Sequence, residues 1–161
     1  KEKFFQLGGY DDLYRPMYME DVDLSYRALK RGWKIRYEPR SAIVHTGGGT
    51  IGRLFKKGYV DLMRQKNRYL FVWKNIRESQ FLLSHLAWLP LRIGKSLLKG
   101  DLVPLKAFCL ALTRFPEVLL RRGEESRRSR INDRAIFQRF GRPGPRGRGP
   151  GQFLEKSGKI G

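Results

Sequence analysis

Apolar and polar positions change period twice within the first 45 residues. Between Asp21 and Arg31, Val22, Tyr26 and Leu29 recur at three- and four-residue steps, which puts them on one face of a helix. Asp21 and Asp23 suit the start of that helix and Gly32 its stop. Beyond it, Trp33, Ile35 and Tyr37 alternate with Lys34, Arg36 and Glu38 as far as Pro39, the period of a strand with one buried face. Ser41 to His45 predicts a second short strand, running into Thr46-Gly-Gly-Gly-Thr50. With the Gly8-Gly9 turn upstream, the pattern predicts a small α/β unit.

A longer helix is expected from about Ile51. Phe55, Tyr59, Leu62, Tyr69, Trp73 and Ile76 form one stripe, with Lys66 as its polar exception; Arg53, Lys56, Lys57, Arg64, Arg68 and Lys74 occupy other faces. From Phe81 to Leu120 the composition turns apolar, and Pro90, Gly94, Gly100, Pro104 and Pro116 should cut it into short helical pieces. Its longest stretch without a charged residue is roughly a dozen residues, against about 18 for a spanning helix, so no simple crossing is expected. Two arrangements stay open. The pieces lie on anionic lipid, edged by Arg92, Lys95, Lys99, Lys106 and Arg114, or they form a bundle covering the preceding domain. Residues 123–140 read as a basic helical segment anchored by Ile131, Ala135, Ile136 and Phe140, and 141–161 as a disordered Gly/Pro/Arg tail. The divisions are therefore 1–78, 79–122, 123–140 and 141–161.

Charge narrows the partners. The chain has 161 residues, with 34 Lys and Arg against 15 Asp and Glu, a formal charge of +19. That length supports one modest core, and that excess suits a polyanionic neighbour such as nucleic acid, anionic membrane or a phosphate-bearing ligand. Nucleic acid is disfavoured, because no aromatic-rich platform accompanies the Arg-Gly tail. The single cysteine, Cys109, cannot form an internal disulfide and suits a reduced, cytoplasmic setting; its apolar neighbours predict a buried thiol. The chain opens without an initiator methionine, as a piece of something longer would.

Against this basic background Glu20, Asp21 and Asp23 cluster at one helix start. Carboxylates there cap the helix and oppose its dipole. Asp23 fits that role and can pair with Arg27 one turn on, an exposed pair worth about 0.5 kcal/mol or less, so Asp23→Asn should be mild. Residues i and i+2 of a helix point to different sides, which argues against Asp21 and Asp23 sharing an ion. Glu20 and Asp21 lie where turn meets helix, a position open to a ligand.

These residues carry a resemblance. Phe4-Phe-Gln-Leu-Gly-Gly-Tyr-Asp-Asp12 followed by Tyr18-Met-Glu-Asp-Val-Asp-Leu24, with Arg27, Gly32, Pro39 and His45 in order, resembles the C-terminal half of the catalytic domain of family 2 glycosyltransferases, in particular bacterial rhamnosyltransferase-like members. Arg64 to Asn75 resembles the helix that follows in such enzymes. The resemblance implies a partial GT-A fold, an α/β nucleotide-sugar domain, followed by amphipathic helices and the tail. It implies inverting transfer from a nucleotide-sugar donor to a glycan or lipid-linked acceptor, as in cell-wall or polysaccharide biosynthesis; with the basic charge and the amphipathic pieces, a peripheral place on the cytoplasmic face of an anionic membrane is expected.

Residue by residue, the resemblance makes Asp21 the base that takes the acceptor hydroxyl's proton and Glu20 its positioning partner. Gly8, Gly9 and Asp11 shape the acceptor side. Arg27 and Arg53 are candidates for phosphate, and His45 for metal or pyrophosphate. The divalent Mg2+ or Mn2+ of the family is held by a DxD motif that this chain lacks, as it lacks the donor-binding half, so the chain alone should not catalyse. The alternative is a basic membrane- or nucleic-acid-binding adapter without catalysis.

Overall fold

The computed structural model describes residues 1–36, 38–41 and 49–141. Among them the chain forms eight α-helices and a 3₁₀ turn, and no strand. The helices are α1 (Glu2–Gln6), α2 (Glu20–Lys30), α3 (Gly49–Leu54), α4 (Lys57–Asn75), α5 (Ser79–Leu97), α6 (Val103–Leu112), α7 (Phe115–Arg128) and α8 (Asp133–Gly141). The turn is Asp12–Tyr14. The expected α/β, GT-A-like sheet is therefore corrected to an all-helical arrangement of the described residues.

The reason lies in what an alternating run needs. Trp33 to Arg36 forms no strand: no described segment pairs with it, and an isolated strand leaves its backbone groups without a ladder. Ile35 stays 52% exposed, and the Trp33 ring lies beneath the Lys3 ammonium at 4.4 Å instead of on a sheet face. Tyr37 and the stretch Ala42 to Gly48, with the second expected strand and His45, lie outside the described residues, as does the 142–161 tail.

The single helix expected from Ile51 is two, parted at Phe55 and Lys56, where Lys56 is extended. Its second part, α4, is the axis of the fold. One side carries Tyr69, Leu70 and Trp73 into a core with Leu13, Tyr14, Leu89, Ala107, Ala111 and Val118. Ala107 and Ala111, both fully buried, lie one turn apart on α6 and let its backbone approach α4 closely. The other side carries Phe71, Val72 and Ile76 to Tyr26 and Leu29 of α2 and Ile136 of α8. The bundle arrangement thus accounts for the inner faces of residues 79–122. Cys109, expected buried, is exposed, because Ala107 and Ala111 take the inner face of α6.

Prolines cut this region less than expected. Pro104 and Pro116 stand in the first turns of α6 and α7, where the missing N–H has no helical partner to lose. Pro90 lies inside α5, which continues through it; one lost backbone bond is offset by the burial of Leu89 and the packing of Ile93 on either side. Gly100, at φ 71, ends α5's C-terminal turn.

α8 is tied back to α2 by Asp133, which is fully buried. Its carboxylate accepts from Lys30 Nζ and Tyr26 Oη, both at 2.6 Å, and from the backbone N–H of Arg77 (2.7 Å) and Glu78 (3.0 Å). The last two bonds cap the start of α5 from a residue more than fifty positions away in sequence. Asp133→Ala should strand the Lys30 ammonium without its carboxylate, and breaking such a buried pair costs about 3–5 kcal/mol. A fall in the urea midpoint of that order, with a smaller fall for Asp133→Asn, is the expected outcome of equilibrium unfolding followed by circular dichroism.

Candidate functional site

α2 begins at Glu20 after two consecutive left-handed residues, Tyr18 (φ 67) and Met19 (φ 79). Non-glycine residues there cost on the order of 1–3 kcal/mol each and persist where their surroundings over-determine them. Asn67 of α4 does so. Its Nδ2 donates to the carbonyls of Tyr14 (2.5 Å), Met17 (2.6 Å) and Tyr18 (3.0 Å). Beside it, Lys66 Nζ donates to Arg15 O at 3.1 Å. The turn that delivers the acidic cluster is therefore moulded by two polar residues of α4.

Helical geometry then sorts the cluster. Asp21 is exposed, and its Oδ1 accepts from the backbone N–H of Val22 at 2.8 Å; among the described residues it has no salt-bridge partner. Glu20 is half-buried, with Oε2 shielded from water and without a hydrogen-bond partner. Asp23 is fully buried. The divergence of Asp21 and Asp23 expected from their spacing is present.

The surroundings of Asp23 correct the expectation of an exposed cap. Its Oδ2 accepts from Arg27 Nε at 2.6 Å, and its Oδ1 from Tyr14 Oη, Lys74 Nζ and Asn75 Nδ2, each at 2.8 Å. Burial raises the Asp23 pKa, and Lys74 and Arg27 more than offset it, holding the carboxyl below its ordinary value. Burial and Asp23 push Tyr14 well up, so its hydroxyl keeps its proton and donates.

The same network holds the Gly8-Gly9 turn and Asp11. Gly8 (φ 80) and Gly9 (φ 70) are left-handed, a conformation that side chains resist. Arg27 Nη1 donates to Leu7 O (2.5 Å) and Nη2 to Gly9 O (2.7 Å). Asp11 caps the 3₁₀ turn, accepting from Leu13 N at 2.9 Å, and pairs with Lys74 and Arg121. Gly8, Gly9 and Asp11 line a polar cleft of about 280 Å³ with Tyr10, Arg121 and Arg128 of α7 among its other walls.

The structure thus brings four of the expected site residues, Gly8, Gly9, Asp11 and Arg27, together in that cleft. Glu20 and Asp21 are not among its walls. Arg27 borders it with its guanidinium engaged by Asp23 and the two carbonyls. Arg53 is exposed on α3, and His45 lies outside the described residues. No three His, Cys, Asp or Glu side chains among the described residues converge as a metal site, so these residues do not fit a divalent ion.

Lys74, Asn75, Asn67, Tyr14 and Arg121 were not singled out by sequence reasoning. One signal was available: Lys66-Asn67 and Lys74-Asn75 repeat as Lys-Asn pairs eight positions apart within one helix, which keeps the two pairs near one side.

No family model matches the chain, and no solved structure matches it significantly. Over 53 residues it is 43% identical to the N-acetylglucosaminyl-diphospho-decaprenol L-rhamnosyltransferase of Mycobacterium tuberculosis, in strain CDC 1551 / Oshkosh and in strain ATCC 25618 / H37Rv alike. That match covers 33% of this chain and 17% of the relative. A third of the chain is thus similar to part of a glycosyltransferase.

Asp23→Asn should be costly instead of mild, because Arg27 and Lys74 would face a neutral amide in a buried site; about 3–5 kcal/mol is expected. The pH profile follows from the same shifts. Asp23 and Asp133 bind protons more weakly folded than unfolded, so the stability they add is present above about pH 4 and is lost as pH falls through their folded values. Thermal melts from pH 6 downward should show a steep acid limb, shallower in Asp23→Asn.

Proposed function

We propose that this chain is part of an inverting glycosyltransferase that moves a sugar from a nucleotide-sugar donor to the hydroxyl of a lipid-linked acceptor. The observation that carries the reading is the placement of Asp21, an exposed carboxylate with no salt-bridge partner among the described residues, at the end of a helix anchored by a buried network. The local similarity to a rhamnosyltransferase supports the reaction class. In the reaction the acceptor oxygen attacks the anomeric carbon as the bond to the nucleoside diphosphate breaks on the opposite side. Asp21 takes the hydroxyl proton, and Glu20, with its shielded oxygen, orients the acceptor or the base. Gly8, Gly9 and Asp11 shape the acceptor side. A divalent ion, where used, takes its ligands from residues other than these.

The reading includes peripheral attachment to the cytoplasmic face of an anionic membrane. The outer side of α5 supports it: Leu83, Leu91 and Leu98 fall on one stripe and are 64%, 62% and 91% exposed, with Trp88, Arg92, Lys95 and Lys99 nearby. No described helix is long and apolar enough to cross a membrane. Apolar insertion and attraction to anionic headgroups act together on such a surface. Flotation should show stronger binding to vesicles rich in anionic lipid than to neutral ones, weakening as salt rises; equal binding to both would remove the attachment from the reading.

The base assignment is tested in the complete enzyme. Asp21→Asn keeps size and polarity but cannot take the proton, so kcat should fall about 10²–10⁴-fold with an unchanged melting temperature. Glu20→Gln should act chiefly on KM for the acceptor. Near wild-type kcat in Asp21→Asn would assign the proton transfer to another group.

A further inference from the structure

The polar cleft beside Gly8 and Gly9 is walled in part by α7, whose Arg121, Glu124, Glu125 and Arg128 stand at i, i+3, i+4 and i+7 and so share one face. Its walls carry four carboxylates, those of Asp11, Asp12, Glu124 and Glu125. They carry as many cations, those of Arg27, Lys74, Arg121 and Arg128. The lining is therefore formally neutral in a chain whose total charge is +19.

Most of these charges are engaged within the protein. Arg27 holds Asp23 and two carbonyls, Lys74 holds Asp11 and Asp23, and Arg121 holds Asp11 and Glu117. Asp12 pairs with Arg15, and Glu125 with Arg31. Glu124 and Arg128 differ: both are exposed, one turn apart on α7, and neither makes a side-chain hydrogen bond or ion pair among the described residues. The first can only accept hydrogen bonds and the second can only donate them. Tyr10 adds an aromatic ring to the same cleft, 56% exposed and set edge to face against Phe4 with centroids 5.4 Å apart.

This lining selects against charge. An anion would meet four carboxylates while three of the four cations are already paired, and a cation would meet the four cations; like charges brought together oppose both. A hydroxyl group donates and accepts at once. A saturated ring bearing neighbouring hydroxyls can therefore donate to Glu124 and accept from Arg128 without bringing a charge, in the stronger, charge-assisted kind of hydrogen bond. Its C–H face is apolar and can lie against an aromatic ring. The cleft's volume of about 280 Å³ is just below the usual range of ligand pockets, about 300–1,000 Å³, which suits a single ring better than a long chain.

We infer that the α7 cleft is a binding site for one uncharged saccharide ring, with Glu124 accepting from its hydroxyls, Arg128 donating to them and Tyr10 lying against its face. Glu20 and Asp21 do not line the cleft, so the ring seated here is a different unit from the one that gives its proton to Asp21. The inference goes beyond the proposed transfer and stands on the lining alone.

Saturation-transfer difference NMR on the complete protein tests it, with a panel of neutral methyl hexosides and N-acetylhexosaminides beside the corresponding uronic acids and free amino sugars. At least one neutral glycoside should bind, and better than its charged counterparts. Glu124→Ala and Arg128→Ala should each weaken that binding about tenfold, and Tyr10→Ala should remove the transfer to the ring's C–H protons. All three positions are exposed, so melting temperatures should not change. Inorganic phosphate at equal concentration should not displace the glycoside. No binding by any neutral member, binding undiminished in the three variants, preference for a charged sugar, or displacement by phosphate would each overturn the assignment. Asp21→Asn should bind the panel as the wild type does, so failure of this site and failure of the transferase reading are read separately.

Discussion

Four hydrogen bonds to one buried carboxylate hold the described structure together. Asp23 receives Arg27 from its own helix, Tyr14 from the 3₁₀ turn, and Lys74 and Asn75 from the end of α4. Arg27 then reaches the Gly8-Gly9 turn, and Lys74 reaches Asp11 and through it Arg121 of α7. Three separate stretches of sequence are fixed relative to α2 by this one group. A buried charge set of this kind adds little net stability over an apolar core of equal volume, but removing any single member leaves another charge uncompensated. Its effect is to set geometry, and the geometry it sets is that of the helix end where Asp21 stands.

α4 supplies the complementary constraint. Its aromatic and aliphatic side chains serve two cores, while Lys66 and Asn67 near its middle and Lys74 and Asn75 at its end address the loop and the carboxylate. An ordinary surface helix keeps its polar residues for solvent. α4 instead is enclosed by α2, α6, α7 and the 3₁₀ turn, so its amides and ammonium groups take carbonyl and carboxylate partners in place of water.

What the sequence revealed follows from which signals are local. The span of α2, the stop at Gly32 and the opposite directions of Asp21 and Asp23 depend on helical periodicity alone, and they are present. The strand expected from Trp33 onward depends on a neighbour that a period-2 pattern cannot supply, and no described segment fills that place. Lys74 falls among the basic residues off the apolar stripe in the sequence pattern, because its partners, Asp11 and Asp23, lie 63 and 51 positions away. Asp133 looked like one more charge in a basic segment for the same reason, since its cap on α5 and its pair with Lys30 exist only after the chain has folded back.

The basic composition can now be divided by what each side chain contacts. Arg31 and Arg27 donate to Gln6 O and Leu7 O at the end of α1, and Arg122 donates to Trp73 O and Ile76 O at the end of α4. Helix C-termini leave carbonyls without intrahelical partners and carry partial negative charge, which cationic side chains satisfy. These arginines, with Lys30, Lys66 and Lys74, answer internal needs and say nothing about an external polyanion. The charges free to meet an anionic partner include Arg92, Lys95, Lys99 and Lys106, which are exposed beside apolar helix faces. On those faces the positive charge and the exposed leucines are found together, and a surface bearing both is matched by lipid with an anionic head better than by a water-soluble polyanion.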